Sequence, residues 1–289
     1  MNSSDDEARE GLHLQSIEVP GAMRPYVRAL VGAEISKPGP LPLAIVPHES
    51  LVLCVQLGRG GQALDEKGHP GSHSCLTGIR RWPGAFCGAG DCMSLLALLT
   101  PLGSVKLLES RPLERAPRIR ASLAELLDDR LTRRLETDIA VQPALDRRLR
   151  AFGAWLEERA HAHRRIDAAA LRAARAAMRL CDEPGAAVEA LASEQHVSRR
   201  QLERDFRQWI GTSPRHLSQV ARVQAISRRA RSGATLADIA ADLGFSDQAH
   251  MSRVVRTLTG LTAARYARGR RSSLGRAFGT ITGGGTVYL

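Results

Sequence analysis

Four arginines and a glutamate crowd residues 199–207 of this 289-residue chain: Arg199, Arg200, Glu203, Arg204 and Arg207. A guanidinium presents a rigid fork of donors that matches guanine O6 and N7 or a phosphate, and a glutamate can accept from cytosine N4. Spacing decides whether such groups can act together. Leu202 and Phe206, four apart, share one helical face and can pack on a preceding helix, which turns the charged residues outward. Ser198 has the side chain to cap that helix, with Gln201 three residues on to complete a capping box. Ahead of it lie a short apolar-periodic run (Val188, Leu191, Ala192) and a turn around His196 and Val197. A short helix, a tight turn and a second helix with an arginine-rich outer face suit a helix-turn-helix that reads a major groove.

The arrangement returns 49 positions later. Leu202 answers to Met251, Arg204 to Arg253, Phe206 to Val255, Gly211 to Gly260 and Ser213 to Thr262. The second unit opens on a helix over 236–243, with Thr235 as cap and Asp238 at the capping-box position. Gly244 and Phe245 make its turn, and Asp247 caps the helix that follows. Between the units the pattern predicts a linking helix, with Ser213 as cap, Pro214 in its first turn and an apolar series of Leu217, Val220, Val223 and Ile226. Ser232 and Gly233 end it. Two units on one rigid helix form a single recognition body.

At this point the chain resembles the AraC/XylS-type transcriptional regulators over about its last third. The resemblance rests on Gly233-Ala234-Thr235-Leu236-Ala237-Asp238-Ile239-Ala240, on Leu243-Gly244-Phe245-Ser246-Asp247-Gln248, on Ser252-Arg253, and on Thr259-Gly260-Leu261-Thr262 ahead of Tyr266. It implies that the second helix of each unit enters one of two successive major-groove segments. Carried onto this chain, the base-reading positions are Arg200, Glu203 and Arg204 in the first unit. In the second they are Gln248, Ala249, Ser252 and Arg253. Arg207, Arg215, Arg256 and Arg265 become the phosphate contacts that set register. Glu203 keeps a second reading, an intrahelical ion pair with Arg199 or Arg207. The second unit departs from the family pattern at Ala249-His250-Met251, at Val255 in place of the usual phenylalanine, and at Ala263 where proline is common.

Composition agrees with a polyanionic partner. The formal net charge is +11, from 41 Lys plus Arg against 30 Asp plus Glu. Residues 185–271 hold fifteen arginines and seven acidic residues, a net of +8. Cys87, Cys92 and Cys75, with His69 and His73 nearby, could be drawn together on paper. Their spacings match no usual zinc site, so they read as ordinary cysteines. The glycines around residues 58–61 lack the lysine and Ser/Thr of a phosphate-binding loop. No carboxylate pair or Ser/His/Asp set has catalytic spacing, so neither an enzyme nor a cofactor is expected. Five cysteines without dense spacing, a polar and acidic N-terminus, and no run of roughly 18 apolar residues point to a cytoplasmic protein with no membrane partner.

The remaining elements must hold this body. Residues 1–14 are polar and expected to be loose. Short apolar runs at 43–46, 51–57, 75–79 and 93–100, separated by glycine-rich turns at 58–61 and 69–71, read as strands of a barrel or sandwich. Ser122 and Glu125 form a capping box where the chain turns helical. The stripe Leu145, Leu149, Phe152 and Leu156 is either the inner face of a local bundle or a dimer interface. An alanine-rich helix over 168–180 follows, and Asp182-Glu183-Pro184-Gly185 ends the pattern. The expected fold class is therefore α+β, in three parts. Residues 15–115 form a small N-terminal mostly-β barrel or sandwich, residues 116–182 a helical connector, and residues 185–270 an all-α C-terminal domain with two helix-turn-helix units.

The resemblance implies that the first part is a cupin-like sensory or dimerisation domain. Its implied partners are double-stranded DNA, RNA polymerase, a second copy of the chain and a small-molecule effector. The expected function is a sequence-specific DNA-binding regulator, an activator by resemblance. The alternatives are a ligand-independent dimeric regulator and a protein-interaction regulator with weak DNA selectivity. The basic 267–271 stretch would trail along the phosphate backbone, and the glycines at 283–285 belong to a frayed tail.

Overall fold

The structure is a computed structural model that describes residues 12–36, 41–58, 61–63, 74–88, 92–108, 113, 120–163, 165–230 and 232–268. In chain order its strands are β1 (Leu12–Ile17), β2 (Val27–Ile35), β3 (Leu41–Ile45), β4 (Leu51–Leu57), β5 (Gly61–Ala63), β6 (Cys75–Thr77), β7 (Gly84–Gly88), β8 (Cys92–Leu99) and β9 (Arg120–Ser122). They form two antiparallel sheets, one ordered β1-β2-β8-β4-β6-β9 and the other β3-β7-β5. The alternation of strand side chains between faces then sorts the core. Leu51, Leu53, Val55, Leu95, Ala97 and Leu99 point to the helices, while Cys92, Leu96 and Leu98 point to the other face with Ala29, Val31 and Ile35. A bulge between Val27 and Ala29 resets the alternation in β2, which is why Val27 and Leu30, three apart, share the helix-facing core.

Four expected strands are present, with small shifts of their ends. Four features differ from the expectation. Residues 12–14, expected to be loose, already belong to β1, which pairs with β2 from Leu12↔Ile35 to Ile17↔Leu30. The longest strand, β2, was not anticipated. The 58–61 turn ends on the first residue of β5, and the 69–71 turn lies outside the described residues. Lastly, the 93–100 run leads straight into helix α1 (Pro101–Leu107), capped by the Thr100 hydroxyl, which accepts from the Gly103 N–H at 2.9 Å. Only glycine fits at 103, because a Cβ there would sit 1.9 Å from the Tyr26 carbonyl oxygen.

Helices α2 (Leu123–Leu126), α3 (Asp129–Ala140) and α4 (Leu145–Ala162) cover the larger sheet. The Ser122–Glu125 capping box is present at the start of α2. Leu145, Leu149, Phe152 and Leu156 are all buried, and α4 lies against β1 and β2. Glycine at 32 leaves the room that Leu145 fills. The stripe is thus spent inside the chain, and the dimer-interface reading of these four residues does not hold.

The C-terminal part is all helical: α5 (Ala168–Asp182), α6 (Val188–Glu194), α7 (Arg199–Ile210), α8 (Pro214–Ala230), α9 (Leu236–Asp242), α10 (Gln248–Thr259) and α11 (Ala263–Arg268). Asp167 caps α5 by accepting from the Ala169 and Ala170 N–H groups. The alanine face of α5 packs on α7 and α8, where small side chains allow close approach. On its way to α5 the chain also brings α1 against α5 and α7, so the N-terminal sheet and the C-terminal helices share one hydrophobic core.

Candidate nucleic-acid interface

Each unit is a helix, a left-handed residue and a second helix. In the first unit the Val197 N–H donates to Ala192 O at 3.0 Å, and in the second the Phe245 N–H donates to Ala240 O at 2.9 Å. The left-handed positions are His196, with φ 55°, and Gly244, with φ 69°. Only the first carries a side chain there. The second helices, α7 and α10, are each 12 residues long. Gly211 and Gly260 end them with φ of 75° and 71°. Ser213 then accepts from the His216 N–H at 3.2 Å, and Thr262 from the Arg265 N–H at 3.3 Å, the same cap 49 positions apart. The repeat read from the sequence is a structural repeat.

The caps differ in detail. Thr235 and Asp238 close a full capping box on α9. Asp247 caps α10 by accepting from the His250 N–H at 2.6 Å. That hydrogen bond, joined by Ser246 and Arg253, holds the Asp247 carboxyl below the usual carboxylate range. Ser198 accepts from the Gln201 N–H at 3.1 Å, yet Gln201 does not return the bond to complete the expected box. Its side chain donates instead to Asp205 Oδ1 at 2.6 Å and accepts from Arg204 Nη2 at 2.6 Å. The buried carboxylate draws the amide N–H inward, and the amide oxygen that a capping box would offer to the Ser198 backbone N–H accepts from Arg204 instead.

Asp205 is the anchor of α7. Its side chain is buried, and Oδ2 accepts from Arg172 Nε and Nη2 at 3.0 and 2.8 Å. Sequence reasoning passed over this pair, although the spacing of Leu202, Asp205, Phe206 and Trp209 puts the carboxylate on the apolar face. An acid there needs a cation opposite it.

The proposed contact residues fall as follows. Arg200, Arg204 and Arg207 are exposed on α7, and Glu203 is half-buried. Glu203 Oε1 accepts from Arg199 Nε at 2.9 Å, and Arg199 also pairs with Glu189 of α6. The intrahelical reading of Glu203 is therefore the one observed in this geometry. On α10, Gln248, Ala249, Arg253 and Arg256 are exposed and Ser252 is half-buried. Arg215, at the start of α8, and Arg265 in α11 are exposed. The opposite faces are closed: Leu202, Phe206, Met251 and Val255 are inaccessible to solvent. The departures at Met251 and Val255 thus still fill their sites.

The two units are tied through α8. Arg222 donates from Nε to Pro184 O at 3.1 Å, ahead of the first unit, and from Nη1 to Gly244 O at 2.8 Å, in the turn of the second. Its guanidinium carbon lies 5.5 Å from the Phe245 ring centroid. Burial lowers its pKa from the usual guanidinium value. No pattern in the sequence singled out Arg222 among its neighbours.

Among the described cysteines, Cys75 and Cys92 are buried and form no disulfide. The side chain of Cys87 is not described, and His69 and His73 lie outside the described residues. Burial pushes the Cys181 thiol up to about 12, which keeps it protonated and unreactive. Among the described residues, no group of three or more His, Cys, Asp or Glu could hold a metal, and no helix is long and apolar enough to cross a membrane.

A family model described as a helix-turn-helix domain matches residues 191–269. Among solved structures, the C-terminal domain of AraT, a response regulator from Geobacillus stearothermophilus, is 22% identical over 34% of this chain and 85% of its own, with a TM-score of 0.32. ToxT from Vibrio cholerae O395 is 10% identical over 89% of this chain and 97% of its own, with a TM-score of 0.41. The AraC-like transcriptional activator CuxR is 15% identical over 71% of this chain and 83% of its own, with a TM-score of 0.23. A search of curated proteins finds no match. The matched region spans both units with their shared caps, so the C-terminal helices of this chain hold a helix-turn-helix domain.

Proposed function

We propose that the chain is a sequence-specific activator of transcription that reads two neighbouring major-groove segments of one duplex. One observation carries this reading. Two 12-residue helices with equivalent caps expose an arginine at the same position, Arg204 and Arg253, and a single helix joins their units. Arg200, Arg204, Gln248, Ala249, Ser252 and Arg253 are the base readers. Glu203 serves chiefly to hold Arg199, and reads a base only if DNA displaces that pair. Arg207, Arg215, Arg256 and Arg265 contact phosphates. The DNA-binding unit begins at α5, because Arg172 fixes α7 from there.

The N-terminal sheet is the regulatory part. It reaches the linking helix α8 through backbone carbonyls of its loops, so a change in the sheet can be felt where the two units are joined. RNA polymerase, a second copy of the chain and a small effector are partners of this scheme.

Selection of bound duplexes from a randomised pool, followed by footprinting of the winners, tests the reading. The expected result is one enriched sequence with two protected segments about one helical turn, roughly 10 base pairs, apart. A pool that never enriches, with binding that vanishes as salt rises, would instead favour a regulator acting through protein contacts.

A further inference from the structure

Beside the exposed arginines lies a small cavity of about 170 Å³ between α8 and the second unit. Arg215, Ser218, Gln219 and Arg222 line one side, at the i, i+3, i+4 and i+7 positions of α8, so they form one stripe. Phe245 and His250 close the other side. Arg215 and Arg222 bring only donors to this cavity, and Gln219 and His250 each have a group that can donate. The Ser218 hydroxyl is already bonded to Pro184 O. Arg222 is half-buried, yet both of its hydrogen bonds go to neutral carbonyls. Among the described residues no carboxylate forms an ion pair with Arg215, Arg222 or the His250 ring, while Asp247 accepts from the His250 backbone N–H. His250 stands edge-on to Phe245, with ring centroids 5.6 Å apart, and its Nδ1 lies 3.1 Å from Ser246 Oγ. Asp247 Oδ2, 3.3 Å from the same hydroxyl, competes for the serine proton; when Nδ1 takes it, Nε2 is the protonated one and a further donor.

A partly desolvated cation without a counter-charge is costly, and an anion that enters would offset the cost. The volume equals several waters at roughly 30 Å³ each, enough for one phosphodiester group. We infer that this cavity is a phosphate site, built by Arg215, Gln219, Arg222 and His250, that takes one phosphate of the DNA backbone beside the start of α10. The assignment rests on the DNA-binding reading and deepens it. Of the four residues only Arg215 follows from the family resemblance. Because Arg222 also holds the turn at Gly244, a phosphate here would fix the second reading helix on the duplex independently of base sequence.

Gln219→Glu in the full-length chain tests the site, since it places a carboxylate among the cations without removing a fold contact. Affinity is measured against salt for the selected duplex and a random duplex of equal length. Arg133→Ala, on the exposed face of α3, serves as a control for an equal change in net charge. The expected result is an equal loss on both duplexes, on the order of tenfold, with the log–log salt slope smaller by about one; the control keeps the wild-type slope. Arg215→Ala should shift in the same direction.

A folded Gln219→Glu variant with wild-type affinity and slope would overturn the site, as would a loss confined to the selected duplex. Thermal shift with inorganic phosphate separates the two sources of phosphate. Stabilisation of the wild type that Gln219→Glu abolishes, with duplex binding unchanged, would mean a free phosphate occupies the cavity and would overturn the DNA assignment. A wild-type chain that binds no duplex at low salt would sink the DNA-binding reading itself, an outcome visible before any variant is made.

Discussion

Gln224, wholly buried in the middle of α8, donates from Nε2 to the carbonyl oxygen of Pro47 at 2.6 Å. A side chain of the helix that joins the two helix-turn-helix units thus satisfies a backbone group of the N-terminal part. His216 repeats the contact near the start of the same helix, with Nε2 at 2.9 Å from Arg80 O. Gln224→Leu would leave the Pro47 oxygen buried without this donor, at a cost of about 1–3 kcal/mol. Urea unfolding followed by tryptophan fluorescence should show a lower midpoint and separate transitions for sheet and helices. A single transition at the wild-type midpoint would mean that the contact couples nothing.

Acid should weaken the same junction. Arg28 Nη1 pairs with Glu49 Oε1 at 3.0 Å. Burial depresses the His48 imidazole, with Glu49 opposing and Arg28 and Arg228 assisting. For Glu49, burial pushes the carboxyl up, but His48 and Arg28 outweigh it and leave the net shift downward. Both folded-state values lie below their unfolded ones, so the unfolded chain binds more protons. His48 therefore contributes its full stability above the ordinary imidazole value of about 6.5, and that contribution is lost as pH falls through its folded value. Glu49 adds a second decline below the ordinary carboxylate range. His216, depressed by its own burial, acts in the same direction as His48. Urea midpoints should fall from pH 8 to pH 5, with His48→Phe flattening the upper part of the curve. A midpoint that rises on acidification would contradict the assignment.

Asp205→Ala should loosen α7 without changing what it reads. The substitution strips Arg172 of two hydrogen bonds and Gln201 of one. Breaking a fully buried pair costs about 3–5 kcal/mol, and the partial exposure of Arg172 reduces this to about 2–3. Chemical denaturation checks the stability. Binding to selected and random duplexes should weaken together, and a selective loss would make Asp205 a specificity residue.

His196→Gly should stabilise the first unit. A non-glycine residue in the left-handed region costs about 1–2 kcal/mol, part of which glycine returns through its greater freedom in the unfolded chain. A net gain of about 0.5–1 kcal/mol is expected as a rise in Tm. A fall would show that the imidazole makes a compensating contact.

The C-terminal half was legible because its signals are local. Ser198, Thr235 and Asp247 cap where their side chains said they would, and Gly211 and Gly260 stop the helices they follow. The buried half of the logic was less visible. Asp205 could have been found from its place among Leu202, Phe206 and Trp209, whereas the tie from Arg222 to Pro184 and Gly244 depends on chain neighbours distant in sequence. In the N-terminal half, β2 escaped notice because Val27–Ile35 is buried on both faces and shows no alternation. Helix α1 had a signal, Pro101 directly after Thr100, that was absorbed into the strand before it. The stripe from Leu145 to Leu156 shows the limit from the other side, since periodicity reveals an apolar face and says nothing about what covers it.

The central claim is that the outer faces of α7 and α10 discriminate between bases. Arg204→Ala against the selected duplex, its single-base-pair variants and a random duplex tests it most directly. The account predicts a loss of about 1–3 kcal/mol on the selected duplex, relaxed preference at one base pair, and little change on random sequence. Equal losses on selected and random duplexes would contradict it.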